Sequence, residues 1–355
     1  MSTLYLRVDP CNPEPALIAQ AANILRNGGL VAFPTETVYG LGANALDAQA
    51  VAQIFRAKGR PGDNPLIVHI ASLDQMFLVA GELPPKAQNL IRLFWPGPLT
   101  LVLPRNPELP AEVTAGLGTV AVRMPAHPVA LALIHAAGVP IAAPSANRSG
   151  APSPTTAGHV LTDLEGRIHG VLDGGPACIG LESTVLDLVA DPPLILRPGG
   201  VTVEQLEEAL QGPVVYEPAF LKSDQDYIPR SPGMKYTHYA PKGEVFLVSG
   251  TPEAVREKVQ SLVTQAKKQG DVSAVLSARE NLAWYQSREP VADLLVDLGP
   301  RSALELVAQN LYSALRACDE ARAALVLVEA FPAAGLGLAV MNRLYKAAGC
   351  KIIKA

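Results

Sequence analysis

The chain has 355 residues, 49% of them apolar and 17% charged, with a formal net charge of −4. That length is too great for one small domain and suits two, and the apolar content excludes global disorder. The charge excludes a strongly cationic nucleic-acid coat, and aromatic residues at 5% argue against a stacking platform for single strands.

Leu4–Val8 reads as a short strand. Pro15–Arg26 is predicted helical, with Leu17, Ala21, Ile24 and Leu25 on one face, Pro15 in the first turn and Gly28-Gly29 at the end. Leu30–Phe33 reads as a buried strand running into Pro34. A helix over Gln49–Lys58 and a strand over Leu66–Ile70 follow. Further strands are expected at Leu99–Leu103, Val120–Val122, Pro140–Ala143, Gly170–Leu172, Ser183–Leu188 and Leu194–Leu196. Helices are expected at Lys86–Phe94, Pro128–Ala136 and Val203–Leu210. Short, numerous strands mixed with helices predict a twisted mixed α/β sheet over residues 1–211.

Residues 212–243 lose apolar periodicity and hold five prolines, which predicts a linker. A second rhythm begins at Glu244. Strands at Glu244–Val248, Val272–Leu276, Leu294–Val296 and Ala324–Val328 alternate with helices at Pro252–Lys268, Ser302–Ala317 and Gly337–Ala347. Regular alternation predicts a small open parallel sheet over 244–355. Gly335-Leu336-Gly337 at a helix entrance could cradle a phosphate, but the third glycine of a dinucleotide fingerprint is missing, and close backbone packing is the preferred reading.

The N-terminus lacks a basic-then-apolar signal layout, and no run of about 18 apolar residues occurs, so the expectation is a cytoplasmic chain with no membrane contact. Cys11, Cys178, Cys318 and Cys350 form no CxxC pair, and each reads as an isolated core thiol rather than a zinc or redox ligand.

Chemistry concentrates at strand ends of the first domain. Pro34-Thr35-Glu36-Thr37-Val38-Tyr39-Gly40-Leu41-Gly42 is either a ligand-binding strand end or a plain strand-to-helix turn. Lys58-Gly59-Arg60, stiffened by Pro61 and Pro65, presents two cations fit for a phosphate or carboxylate, or lies on a solvated loop. His69 falls inside a strand, and Arg123-Met124-Pro125 ends another, where a guanidinium can clamp a carboxylate or make a surface ion pair. Pro144-Ser145-Ala146-Asn147-Arg148-Ser149-Gly150 supplies hydroxyl and amide groups; Ser145 lacks the elbow of a covalent nucleophile. Ser183-Thr184 opens one strand and Leu196-Arg197-Pro198-Gly199 closes another. Cations and hydroxyls with few acids or bases suit an enzyme that binds anionic substrates and works by positioning and charge stabilisation.

These six motifs, in this order, resemble the YrdC-domain family of L-threonylcarbamoyladenylate synthases over about residues 10–210. The run Ser231–Pro241 and the domain after it resemble the longer, two-domain form of that family. The resemblance implies a twisted α/β sheet with a concave basic cavity, joined to a smaller Rossmann-like parallel domain. It implies that L-threonine, bicarbonate and ATP give threonylcarbamoyl-AMP and pyrophosphate. A separate tRNA threonylcarbamoyl transferase complex would then make N6-threonylcarbamoyladenosine at position 37 of tRNA, with weak or no direct tRNA binding by this chain.

By motif, Lys58, Arg60, Ser145 and Asn147 match the catalytic set that holds phosphates and the carboxylated intermediate. Thr37, His69, Arg123 and Ser183, with the backbone at Ala143, match the threonine contacts. Arg60, Asn64, Thr119, Ser145, Ser153, Arg197 and, in the linker, Arg230 match the ATP contacts. Mg²⁺ would accompany the nucleotide, with no structural metal on the protein. The labile acyl-adenylate makes the linker a candidate lid over the active site. Two other readings stay open: an RNA-binding module without catalysis, marked by salt-sensitive affinity, and a carbamoyl-transfer enzyme, against which the lack of CxxC pairs weighs.

Overall fold

A computed structural model describes residues 2–217 and 239–355. They divide into two units, residues 2–149 with 153–217, and residues 150–152 with 239–355. Most of the expected linker, with the lid role and Arg230 assigned to it, falls outside the described residues.

The strands of the first unit are β1 (Leu4–Arg7), β2 (Val31–Phe33), β3 (Gly40–Asn44), β4 (Ile67–His69), β5 (Leu99–Pro104), β6 (Thr119–Arg123), β7 (Ile141–Ala142), β8 (Gly170–Asp173), β9 (Thr184–Asp187), β10 (Leu194–Arg197) and β11 (Val215–Tyr216). They form one mixed sheet in the order β1-β8-β2-β3-β7-β4-β6-β5-β9-β10-β11. Side chains alternate across a strand. Val68, Val122, Leu101, Leu103, Leu186 and Ile195 therefore enter one large core with the helices Ala48–Lys58, Pro85–Phe94, Ala157–Leu164 and Val203–Leu210. The residues between them, Ile67, Ala121, Val102, Val185 and Leu196, form a separate small cluster on the opposite face. The helices Pro15–Arg26 and Pro128–Ala137 bury a third cluster with Val31, Phe33 and Leu172.

Several elements of this unit depart from the sequence reading, among them the one-turn helices Leu73–Met76 and Ala111–Thr114, which it does not give. The end of the Pro34–Gly42 segment, read as a strand end or a strand-to-helix turn, instead enters a strand, Gly40–Asn44, between β2 and β7. Gly42 permits this, because a Cβ there would lie 2.8 Å from Ile141 Cγ2 and 2.9 Å from Phe33 Cε1. The helix Ala157–Leu164 is capped by Thr156, whose hydroxyl accepts from His159 N, and it buries Ala157, Val160 and Leu164. Strand β11 lies inside the expected linker, in parallel register with β10.

The second unit carries β12 (Glu244–Ser249), β13 (Ser273–Ala278), β14 (Leu294–Gly299), β15 (Leu325–Glu329) and β16 (Ile352–Lys354), all parallel, in the order β14-β13-β15-β12-β16. The helix Pro252–Gln269 places Val255, Val259 and Val263 against Val248, Val275 and Leu327 of the sheet. Glu329 closes β15 fully buried, with Ser277 Oγ at 3.0 Å, Tyr285 OH at 2.8 Å and Arg301 Nη2 at 2.7 Å. The edge strand β16 and the short helix Leu282–Gln286 escape the sequence reading.

Only Cys318 meets the core-thiol expectation, and burial pushes its thiol up to about 12. Cys11, Cys178 and Cys350 are exposed because they lie on loops and turns between elements. Among the described residues no helix is long and apolar enough to cross a membrane.

Gly337 resolves the lone G-x-G. A Cβ there would sit 1.9 Å from Pro332 O, whereas Gly335 meets nothing but has φ +55°. Close packing is thus the role of the second glycine and backbone freedom that of the first. Gly337→Ala should cost about 1–3 kcal/mol by overpacking. Chemical unfolding of the full chain checks this; an unchanged midpoint would contradict it.

Candidate active site

The sheet face opposite the main core holds the candidates His69, Arg123 and Ser183. His69 ends β4 and Arg123 ends β6, and the two are register partners on adjacent parallel strands. Two residues before each lie Ile67 and Ala121 of the small apolar cluster. Thr100 and Ser183 precede Val102 and Val185 by the same step, so alternation brings both hydroxyls to this face. Their oxygens are 2.7 Å apart. Arg197 at the end of β10 donates from Nη2 to Ser183 Oγ and from Nε to Ser183 O, each at 3.1 Å.

Arg123 is 3% exposed. Its Nε donates to Gly97 O at 3.0 Å and its Nη1 to Thr37 Oγ1 at 2.8 Å. Its Nη2 lies 2.5 Å from Glu36 Oε1, an ion pair off the line of a directed hydrogen bond. The turn that delivers Glu36 and Thr37 is built by Thr35, whose hydroxyl accepts from Thr37 N and Val38 N at 3.2 Å and donates to Val38 O at 2.6 Å. Ile179 N donates to Glu36 O at 2.8 Å and fixes the turn from outside.

A second group hangs on the same segment. Leu41 N donates to Pro144 O and Ala146 N to Tyr39 O, both at 2.8 Å, so residues 39–41 hold residues 144–146. Gly59, left-handed at φ 63°, ends the helix and leaves Lys58 in its last turn. Lys58 Nζ donates to Ser145 O at 2.6 Å, to Asn147 O, and to Asn147 Oδ1 at 3.3 Å. Ser145 Oγ donates to Asn147 Oδ1 at 2.5 Å. Arg60 Nη2 donates to Pro65 O at 3.0 Å and to Asn64 O at 3.3 Å, which folds the Lys-Gly-Arg loop back on itself.

The structure thus joins Thr37 with Arg123, Lys58 with Ser145 and Asn147, Ser183 with Arg197, and Arg60 with Asn64. Ser153 is buried and donates to Glu182 Oε1 at 2.5 Å. Ala143 spends its N–H on Ile67 O at 2.9 Å. Thr119 opens β6 opposite Pro104, at the other end of the strand from Arg123. Three polar residues escape the sequence reading. Thr100 was available from its two-residue step to Val102, and Glu182 from its place before Ser183. Glu36 stands in the quoted motif but receives no role there.

Five buried side-chain atoms of this group lack a hydrogen-bond partner among the described residues: both oxygens of Glu36, Asn64 Oδ1, His69 Nδ1 and Arg123 Nη2. An unpartnered buried polar atom costs about 1–3 kcal/mol. Four of these five lie together, on Glu36, on the Arg123 paired with it and on His69 beside Arg123, and that gathering marks a site built for a ligand. Burial and then the Arg123 charge push His69 down to about 3, so its imidazole is neutral. Burial also lowers His127, against the pull of Glu36. Among the described residues no group of three or more His, Cys, Asp or Glu could hold a metal ion.

The His69 shift has a definite sign. Its folded value lies below the unfolded value of about 6.5, so between those limits the unfolded chain binds more protons. The stability it contributes is present above pH ~6.5 and is lost as pH falls toward ~3, by about 3 kcal/mol at pH 4. Urea unfolding at pH 7 and pH 4 should show a smaller acid loss in His69→Gln than in the wild type. An equal loss would remove His69 from the titration.

Residues 23–199 match the family model shared by Sua5, YciO and YrdC, described as "Telomere recombination". Residues 201–349 match one described as "Threonylcarbamoyl-AMP synthase, C-terminal domain". A Bacillus subtilis (strain 168) protein named threonylcarbamoyl-AMP synthase is 53% identical over 98% of this chain and 97% of its own. A protein of the same name from Schizosaccharomyces pombe is 43% identical over 96% of this chain and 90% of its own. The crystal structure of Pyrococcus abyssi Sua5 complexed with L-threonine has a TM-score of 0.93 and 49% identity, covering 99% of this chain and 100% of that one. The chain belongs to the two-domain Sua5 family of threonylcarbamoyl-AMP synthases.

Proposed function

We propose that this enzyme joins L-threonine, bicarbonate and ATP into threonylcarbamoyl-AMP and releases pyrophosphate. The observation that carries the reading is the pairing of two polar groups on one segment, Thr37 with Arg123 and Lys58 with Ser145 and Asn147. The first suits an amino acid: a guanidinium for its carboxylate, with Thr37, Ser183 and neutral His69 for its hydroxyl. The L-threonine bound to the Pyrococcus abyssi relative supports that choice of substrate.

The threonine amine attacks bicarbonate to give a carbamate and water. The carbamate oxygen then attacks the α-phosphorus of ATP and pyrophosphate leaves. Lys58, Arg60 and Arg197 neutralise the charge that builds on the phosphate oxygens, while Asn64 and Ser153 position the nucleotide. A Mg²⁺ ion carried by the triphosphate would supply further charge neutralisation there, and the buried Asn64 Oδ1, which has no hydrogen-bond partner among the described residues, is an oxygen that would hold it. The reaction belongs in the cytoplasm, where ATP is made and spent. Its product goes to a transferase complex that modifies tRNA, so the synthase itself needs no firm grip on RNA.

Pyrophosphate release by the purified chain should require threonine and bicarbonate together, with a product of threonylcarbamoyl-AMP mass. Equal release without threonine would refute the reading. Arg60→Ala should cut synthesis more than tenfold, a barrier change above about 1.4 kcal/mol. A smaller loss in steady-state assays would take Arg60 out of the mechanism.

A further inference from the structure

Glu36 has no part in the reaction as written above, yet it is the least satisfied group in the site. It is 4% exposed, and neither carboxylate oxygen receives a hydrogen bond among the described residues. Its ion pair with Arg123 offsets the charge, but its lone pairs stay without directed donors, which is costly for a buried carboxylate. Its main chain is pinned, since Ile179 N and Cys178 Sγ both donate to Glu36 O. The charged group against it is Arg123, whose Nε and Nη1 are committed to Gly97 and Thr37. The other titratable groups facing it are His127 and Cys178. Burial lowers the first and raises the second, so each stays neutral beside the carboxylate.

We propose that Glu36 receives the α-ammonium group of the amino-acid substrate and takes a proton from it. The proposal rests on the threonine reading above. An amino acid arrives as a zwitterion, and the Glu36–Arg123 pair is the complementary arrangement of charges. With the site free, the two side chains neutralise each other. With the zwitterion bound, Arg123 meets the carboxylate and the open lone pairs of Glu36 meet N–H donors. The charge of the pocket is unchanged, and directed hydrogen bonds replace a contact that has none.

Carbamate formation also needs the free amine. One ammonium N–H bond breaks and its proton passes to a Glu36 oxygen. The nitrogen lone pair forms a bond to the bicarbonate carbon, and the bicarbonate hydroxyl leaves as water with a second amine proton. Threonine and bicarbonate thus give carbamate, water and one proton, which Glu36 holds until it passes to solvent. The other basic groups nearby are poorly suited to this. His69, the register partner of Arg123, carries no negative charge to receive an ammonium, and Lys58 Nζ is engaged by the oxygens of Ser145 and Asn147.

Calorimetry with two ligands separates this role from a structural one. L-Threonine and 3-hydroxybutanoate share a carboxylate and a hydroxyl, and only the first has an amine. The wild type should bind threonine at least about tenfold more tightly, the worth of one charge-assisted hydrogen bond. Glu36→Gln should lose that preference, with 3-hydroxybutanoate affinity and the KM for ATP changed less than about threefold. Its kcat at saturating threonine should fall at least about tenfold. Glu36→Asp keeps the charge and should restore part of the threonine preference. Equal weakening of both ligands in Glu36→Gln, or an intact threonine preference, would overturn the proposal. A wild type that binds no threonine would overturn the function reading itself, and this proposal with it.

Discussion

The guanidinium of Arg123 is a permanent charge taken out of water. Burying such a group costs several kcal/mol unless charge and hydrogen bonds replace its hydration. Gly97 O, Thr37 Oγ1 and Glu36 supply that replacement, and they come from two stretches of chain some sixty residues apart, the turn at 36–37 and the segment at 97. The demand of one residue thereby fixes the Thr35 turn against the end of β6 and against the segment that leads into β5. Gly97 N in turn donates to Met124 O, and Thr184 N donates to Pro98 O, which carries the tie on to Ser183 and Arg197. The active-site face is coupled through this arginine.

Two-residue alternation explains why the charge can be there at all. The large core takes Val68, Val122 and Leu101, and the opposite face of the same strands holds only a small apolar cluster. Polar side chains at His69, Thr100, Arg123 and Ser183 extend that second face without cutting the main core. A substrate pocket and a well-packed interior are thus assigned to opposite faces of the same few strands.

Much of this was legible in the chain. Local signals located most of the longer helices: Pro15 at a first turn, Gly28-Gly29 just past a last one, and apolar faces recurring every three or four residues. Strand-end cations and hydroxyls were visible because alternation and turn residues are local properties. What stayed hidden depends on distant partners. Gly40–Asn44 has a loop composition and becomes a strand only because β2 and β7 lie on either side of it. Glu36 sits among threonines in sequence, and its meaning appears only when β6 brings Arg123 to it. Thr119 shows the converse, since its motif position does not carry it to the Arg123 end of its strand.

The buried polar atoms of Glu36, His69 and Arg123 that lack directed hydrogen bonds are a stability cost concentrated in one place. Such a cost is expected where a fold keeps groups ready for a ligand. The most direct measurement is the unfolding free energy of the double variant Glu36→Met/Arg123→Met, taken beside its affinity for L-threonine. If the pair is held for the substrate, stability should stay within about 1 kcal/mol of the wild type or rise, as happens when hydrophobic residues replace a buried ion pair, and threonine binding should vanish. A loss of several kcal/mol with threonine binding retained would show that the pair serves the fold and not the site.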